Sequence, residues 1–383
     1  MSKIPLAWLQ LTREKVRLLI ALAGIAFAVI LMFMQLGFQA ALYDSAARLH
    51  QNLQGDIILI SASSKSLGYM NSFSRRRLYQ TLRFDGVESI SPVYVGFKDW
   101  KNPDTGGFRT IYVYGFRVGD SVFQFPEVNQ YLNSLKLSEN VLFDRASRSE
   151  YGAIADQFKQ GKTVVTEMGG KRVNVMGLFT LGPSFAADGN VILSDLNFLR
   201  LFPDRRLDEI DIGLVQLKPN VDAEAVLKAM QASLPQDVRV LTHQGFIEFE
   251  KNYWKTSTAI GFIFTLGVSM GFIVGTVIVY QILYSDVSDH LAEYATLKAM
   301  GYKNMYLLTV VFQEALILAV LGYIPGFSLS LVLYDLTKSA TFLPLGMSFD
   351  RALLILLLTI LMCSISGLIA MRRLRRADPA DIF

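Results

Sequence analysis

The sequence predicts an α-helical membrane protein with four transmembrane helices and a large mixed α/β domain between the first and the second. Three observations carry this. First, four runs contain no charged residue, and each is long enough to cross a hydrocarbon core of about 30 Å, which takes roughly 20 apolar helical residues. They lie between Arg17 and Asp44, between Lys255 and Asp286, between Glu314 and Asp335 with an apolar lead-in from Asn304, and between Arg351 and Arg372. Second, basic residues crowd both ends of the chain. Third, the long segment between runs one and two carries strand and helix patterns of a water-soluble kind. Hydrophobic residues make up 52% of the chain, only modestly above the roughly 45–50% of soluble proteins, so it is their placement that sets the class.

The spans are expected near 18–43, 256–284, 305–334 and 351–371. The first run exceeds the roughly 7–15 residues of a signal-peptide core and has no A-x-A ending, so it is expected to remain as an anchor. Lys3, Arg13, Lys15 and Arg17 precede it against Glu14 alone, and Arg372, Arg373, Arg375 and Arg376 follow the fourth run. In the short loop 335–350 and at its edge, Asp335, Lys338, Asp350 and Arg351 cancel. The positive-inside rule then puts both termini in the cytoplasm and residues 44–255 on the far side. Most of the formal net charge of +4 belongs to the membrane edges. The external domain is left nearly neutral, without the electrostatic footprint of a nucleic-acid binder. The one cysteine, Cys363, falls inside the fourth span, so no intrachain disulfide can form.

Residues 1–17 read as a short interfacial helix opened by Pro5, with Leu6, Trp8, Leu9 and Val16 among Gln10, Arg13 and Lys15; a frayed tail is the alternative. In the external domain, residues 56–61, 89–95, 109–116, 190–194, 209–217 and 238–242 read as strands. Residues 162–177 alternate like a hairpin turning at Met168-Gly169-Gly170-Lys171. Helices are expected over 75–83, over the polar stretch Val141–Gln160, and over Asp222–Leu234, where Ala223, Val226, Leu227, Met230 and Leu234 share one side. Tyr253 and Trp254 stand where the second span enters the bilayer, a level that amphipathic rings favour. The aromatics Tyr94, Phe97, Trp100, Phe108, Tyr112, Tyr114, Phe116, Phe123, Phe125 and Tyr131 read mostly as sheet core, with a ligand surface as the lesser alternative.

Catalytic chemistry is sparse. His50, His243 and His290 are far apart, two on the external side and one on the cytoplasmic side, so they cannot converge on one metal. H-E-x-x-H and C-x-x-C motifs are absent. Gly161-Lys162-Thr163 resembles the end of a phosphate loop, but Asp156 replaces the first glycine and a strand follows where a helix is required. No cofactor or metal is expected in this chain. If ATP and Mg drive the protein, a separate chain binds them.

The informative stretch is Asp286–Gly326. After the second span, Val287, Leu291, Tyr294, Ala295 and Ala299 share one face of a helix and Asp289, Glu293 and Thr296 the opposite face, with Gly301 at a C-terminal stop position. Physically, this helix is either a docking element or an ordinary loop helix. Glu314, with Gln313 beside it, is an ionisable residue inside a span, a functional candidate by default. A packing role and a proton-relay role are both open.

This stretch resembles the cytoplasmic segment of FtsX/MacB-type ABC permeases, in Glu293–Tyr302 with its Ala-hydrophobic-Gly ending. Phe312-Gln313-Glu314-Ala315-Leu316 with Gly322 and Gly326 is similar to that family's third span, and Arg372–Ala380 to its closing basic, Asp-Pro-Ala signature. Ile4–Lys15, Met32–Phe38 and Arg206–Asp211 are closer to the DevC type, the permease of a cyanobacterial exporter. The resemblance covers nearly the whole chain. Asp286, Asp289 and His290 depart from it, in a loop where relatives often carry basic residues.

The resemblance implies a MacB-like fold in the inner (plasma) membrane, with the external domain in the periplasm. It implies a porter-like part over about 44–95 and 205–255, and an inserted subdomain over about 96–204. A cytoplasmic loop at 285–304 would dock a separate ABC ATPase through Asp289, His290, Glu293, Leu297, Lys298, Met300 and Gly301. The implied partners are a second copy of the chain, the ATPase, a periplasmic adaptor, a TolC-like outer-membrane duct and membrane lipids, with no nucleic acid. The expected function is that of a non-catalytic permease subunit passing ATPase motion to its external domains to export an amphiphilic envelope component such as a glycolipid. The alternative is an FtsX-like scaffold relaying that motion to a cell-wall hydrolase, for which the external domain is large. A membrane enzyme is a third class, without convergent catalytic groups to support it.

Overall fold

The computed structural model describes residues 13–290 and 304–376, together with Trp8, Glu293, Thr296 and Met300. The chain begins with α1 (Lys15–Ala46) and the short α2 (Arg48–Gln51), then runs through β1 (Ile57–Ser61), β2 (Phe73–Ser74), α3 (Arg75–Gln80), β3 (Val87–Lys101) and β4 (Phe108–Phe116). Next come α4 (Pro126–Gln130), α5 (Leu132–Leu135), β5 (Asn140–Asp144), α6 (Ile154–Lys159), β6 (Val164–Met168), β7 (Lys171–Phe179), β8 (Asn190–Ser194) and α7 (Asp195–Leu201). β9 (Glu209–Ile210), β10 (Ile212–Leu217), α8 (Ala223–Ser233), β11 (Val238–Thr242) and α9 (His243–Thr256) complete this part, and α10 (Ala259–Asp289), α11 (Asn304–Thr341) and α12 (Phe349–Arg376) follow. Two compact units result. One holds Leu42–Thr258 with Phe342–Pro344; the other holds Met1–Ala41, Ala259–Thr341 and Leu345–Phe383.

Among the described residues, the second unit's α1, α10, α11 and α12 are the four helices long and apolar enough to cross a membrane, and the large α/β domain lies between α1 and α10 in the chain. Without a hydrophobic force between helices in lipid, small residues and interhelical hydrogen bonds must hold them together. Glycines meet much of this need. Gly271 and Gly275 of α10 face Met32 and Ala28 of α1, while Gly322 and Gly326 of α11 face Ile25 and Val29. α1 is thus packed between two glycine stripes. The Tyr334 hydroxyl donates to the Phe33 carbonyl at 2.5 Å, the Tyr323 hydroxyl to Ala352 at 2.9 Å, and the Ser366 hydroxyl to Thr276 at 2.8 Å.

In the other unit, the sheet order is β11-β1-β10-β3-β4-β8-β5-β7-β6, with one further pairing, Trp100 to Met168, that brings β6 back to β3. The sheet therefore has two characters. Strands β11, β1, β10 and the first half of β3 form an open antiparallel layer. Ile57, Leu59 and Val215 sit in one apolar cluster with Val226, Leu227 and Met230 of α8; Ile58, Ile60 and Leu214 sit in another with Phe246 of α9. Alternate side chains are thus buried on both faces, as helices on both sides of a sheet require. The second half of β3 curls with β4, β8, β5, β7 and β6 into a closed barrel, which removes free sheet edges there. Trp100 is fully buried and its indole N–H donates to the Tyr151 carbonyl at 3.1 Å. The Tyr151 hydroxyl in turn donates to Thr110 at 2.6 Å, and burial pushes this phenol up to about 12.

The hairpin turn lies at Gly169-Gly170, both with positive φ, where side-chain-bearing residues are strained. α8 is capped by the Asp222 carboxylate, which accepts from the N–H groups of Glu224 and Ala225. One helix expectation fails. Val141–Gln160 begins as strand β5, and only Ile154–Lys159 is α-helical. β5 pairs with both β7 and β8, and its five residues are buried. So short an apolar run carries no periodicity that separates strand from helix. The strand expected over 209–217 is broken at Asp211, whose carboxylate turns inward. Most of the aromatic cluster is core, with Phe97 and Phe108 exposed.

Candidate functional site

The residues singled out for docking begin on the end of a membrane helix rather than in a loop. α10 continues past Ser285 to Asp289, and the His290 N–H still bonds to the Asp286 carbonyl at 3.1 Å. Asp286 and Asp289 therefore extend from a helix continuous with the span. Their partners come from α1 and the residues just before it, at the other end of the sequence. The Arg17 guanidinium lies 2.9 Å from the Glu14 carboxylate, donates to the Ser285 hydroxyl at 3.2 Å, pairs with Asp289, and stands 3.8 Å from Asp286. Arg13 reaches Glu293 at 4.0 Å. His290 is almost buried, with Nδ1 3.2 Å from Glu293 and Nε2 4.0 Å from Asp286. The acidic departure from the family pattern thus has a local reason: these side chains match two arginines of the amino-terminal flank.

The remaining sequence candidates divide. Met300 is exposed, as are Glu293 and Asp289. Leu297, Lys298 and Gly301 lie outside the described residues. Glu314 is fully buried on α11, and neither carboxylate oxygen has a hydrogen-bond partner among the described residues, whereas its neighbour Gln313 is exposed. The two intramembrane polar residues therefore occupy different environments. Asp286 Oδ2 and His290 Nε2 are also buried without a hydrogen-bond partner among the described residues. Buried polar atoms are normally satisfied, so this part of the helix bundle holds polar capacity that its own packing does not use.

Arg13 and Arg17 were not singled out for the site in the sequence. A signal existed: in antiparallel spans, the start of the first and the end of the second share one membrane face, and opposite charges stand at those two ends. Three buried carboxylates of the external domain carried no such signal. Asp144 accepts from the N–H groups of Leu181, Gly182 and Ala146 at 3.0, 2.8 and 3.0 Å, and from the Asn190 amide at 2.8 Å. Burial nevertheless pushes its carboxyl above the ordinary range. Asp211 accepts from the Val95 N–H at 2.8 Å and the Ser72 hydroxyl at 3.1 Å, and pairs with Arg205. Burial raises its carboxyl too, against the pull of Arg205. It stands where β3 passes from the open layer to the barrel, since Val93 pairs with both Ile212 and Phe116. Glu250 on α9 accepts from the Leu67 N–H at 2.6 Å and the Trp254 indole at 2.8 Å, and lies 3.5 Å from His50. Among the described residues, no group of three His, Cys, Asp or Glu side chains is placed to hold a metal ion.

Comparison with known proteins agrees with the architecture. The family model for the MacB-like periplasmic core domain matches residues 18–233, and that for the FtsX-like permease C-terminal region matches residues 265–379. Similar solved structures include the periplasmic region of MacB from Actinobacillus actinomycetemcomitans, at 11% identity over 51% of this chain and 92% of that one, with a TM-score of 0.34. The extracellular domain of the noncanonic ABC-type transporter YknZ from Gram-positive bacteria is similar at 14% identity over 49% and 100%, with a TM-score of 0.33. A domain of a putative permease from Porphyromonas gingivalis is similar at 16% identity over 50% and 88%, with a TM-score of 0.29. No curated protein matches the chain. With one family model covering more than half the sequence and another covering most of the remainder, this chain belongs to the FtsX/MacB-like family of ABC-type transporter permeases.

Proposed function

We propose that the chain is the DevC-type permease subunit of a tripartite exporter. Two copies pair in the inner membrane, a separate ATPase binds ATP and Mg beneath them, and a periplasmic adaptor with a TolC-like duct continues the path outward. The chain itself carries no catalytic step. The cargo is an amphiphilic envelope component such as a glycolipid. Within the external domain, 44–95 and 205–255 act as the porter-like part and 96–204 as the inserted subdomain.

One observation carries the reading. Asp286, Asp289 and Glu293, where an ATPase would push, are held by ion pairs to Arg13 and Arg17, and from Lys15 α1 runs as one helix to Ala46. Its 32 residues rise about 48 Å, well beyond a hydrocarbon core of about 30 Å. A displacement at the cytoplasmic face therefore has a continuous helical path toward the external domain. In this mechanism, ATP-driven closure of the ATPase shifts the docking segment, Arg17 carries the shift to α1, and the two parts of the external domain move against each other to expel cargo.

Copurification tests the assembly: an adaptor with a duct is the expected catch, and a cell-wall hydrolase in their place would transfer the reading to the scaffold. Cysteine labelling tests the orientation. Sites within 60–240 should react from outside, whereas Ser288→Cys should not; external labelling at 288 would overturn it.

A further inference from the structure

We propose that the cytoplasmic ends of α1 and α10 form a binding site for one anionic phospholipid of the inner leaflet. A cleft of about 770 Å³ lies between them. Its walls include Val16 and Ile20 of α1 and Ile278 and Ile282 of α10, and its rim holds Arg13 and Lys15. Val16 is 73% and Ile20 62% exposed, so the apolar wall faces outward from the helix bundle. The cleft is thus apolar along the spans and cationic at the end that the charge pattern assigns to the cytoplasm. An acyl chain fits the first part and a phosphate the second. Basic pockets between spans on this side recognise anionic headgroups in the same way.

The ion pairs favour an anion over an acidic protein segment already in the chain. Glu14 also lines the cleft, but its carboxylate is engaged by Arg17, which Asp289 binds as well. Lys15 is exposed and makes no ion pair with any described residue. Among the described residues, Arg13 has only the long contact to Glu293, with both side chains more than half exposed, a pair of little strength. Two cations at the rim are therefore available to a phosphate, whose oxygens make charge-assisted hydrogen bonds. Because Arg13 also contacts Glu293, headgroup and docking segment compete for one guanidinium. The inference is independent of the export reading, since lipid binding is measured without ATPase or adaptor.

The test uses the full chain carrying Ile20→Trp, reconstituted in phosphatidylcholine bilayers. Quenching gained over the parent chain is compared for brominated phosphatidylglycerol and brominated phosphatidylcholine. Phosphatidylglycerol should be preferred roughly tenfold or more, with Lys15→Gln and Arg13→Gln each lowering the preference about fivefold. Glu293→Gln, which frees Arg13, should raise it. The same reporter at Ile324→Trp on α11 should show no preference. Equal quenching by the two lipids at position 20, an undiminished preference after both cations are removed, or the same preference at position 324 would overturn the site. So would relief of quenching by soluble glycerol phosphate, which would mark a simple phosphate site.

Discussion

The two compact units treat buried acids in opposite ways. In the external domain, Asp144 accepts from four donors, Asp211 from two besides its arginine, and Glu250 from two. Among the described residues of the helical unit, Glu314 has no hydrogen-bond partner and Asp286 has an unpartnered oxygen. A saturated carboxylate fixes its donors in one arrangement. An unsaturated one leaves a helix free to exchange partners with little loss. The buried acids of the external domain are therefore fixed by their donors, while those of the helical unit keep polar capacity unused by any described residue.

Replacing Asp144 with Ala should produce the largest stability effect. It strands three buried donors, each costing about 1–3 kcal/mol unpaired, so the domain should lose about 3–9 kcal/mol in denaturant unfolding. A loss below about 1 kcal/mol would mean that the network is not structural.

A pH series tests the same carboxylates. Asp144 and Asp211 are both raised by burial, so the folded state holds their protons more tightly than the unfolded chain does. Their contribution to stability is present below the unfolded value of about 4 and is lost as the pH rises through the raised folded values. A wild-type melting temperature should therefore fall across that window relative to an Asp144→Asn, Asp211→Asn variant. Parallel curves would contradict the assignment.

Glu314 should show the smallest effect. Glu314→Gln exchanges a buried polar side chain for one of nearly the same shape and removes no hydrogen bond with a described residue, so stability should change by no more than about 0.5 kcal/mol. Transport by this variant should persist across pH if Glu314 serves packing. A pH-dependent loss of transport would assign it to proton transfer instead.

The sequence revealed most where a single physical constraint dominates. Hydrocarbon excludes charge, so four charge-free runs marked the apolar helices. A tight turn favours glycine, so Gly169-Gly170 marked the hairpin. A helix buries one face, so Ala223, Val226, Leu227, Met230 and Leu234 on one side marked α8. What stayed hidden depends on pairing across long separations. The Trp100–Met168 closure of the barrel links residues 68 apart in sequence, and the buried run Asn140–Asp144 is a strand because β7 and β8 flank it. The stretch after the second span was visible as an amphipathic pattern, but its electrostatic logic was not. Asp286, Asp289 and Glu293 made sense only once Arg13 and Arg17 stood beside them, 272 residues away in the case of Arg17 and Asp289.

The central claim is that motion passes from the docking segment through Arg17 into α1. Its most direct test is ATP hydrolysis by the reconstituted permease–ATPase pair, measured as adaptor and lipid are added, for the wild type, Arg17→Gln and Ala295→Pro. The account predicts stimulation in the wild type. Both variants should lose that stimulation while staying in the membrane, Arg17→Gln because the link to α1 is cut and Ala295→Pro because a proline costs about 3 kcal/mol in the helix that the sequence predicts there. Undiminished stimulation in Arg17→Gln, with the complex intact, would contradict it.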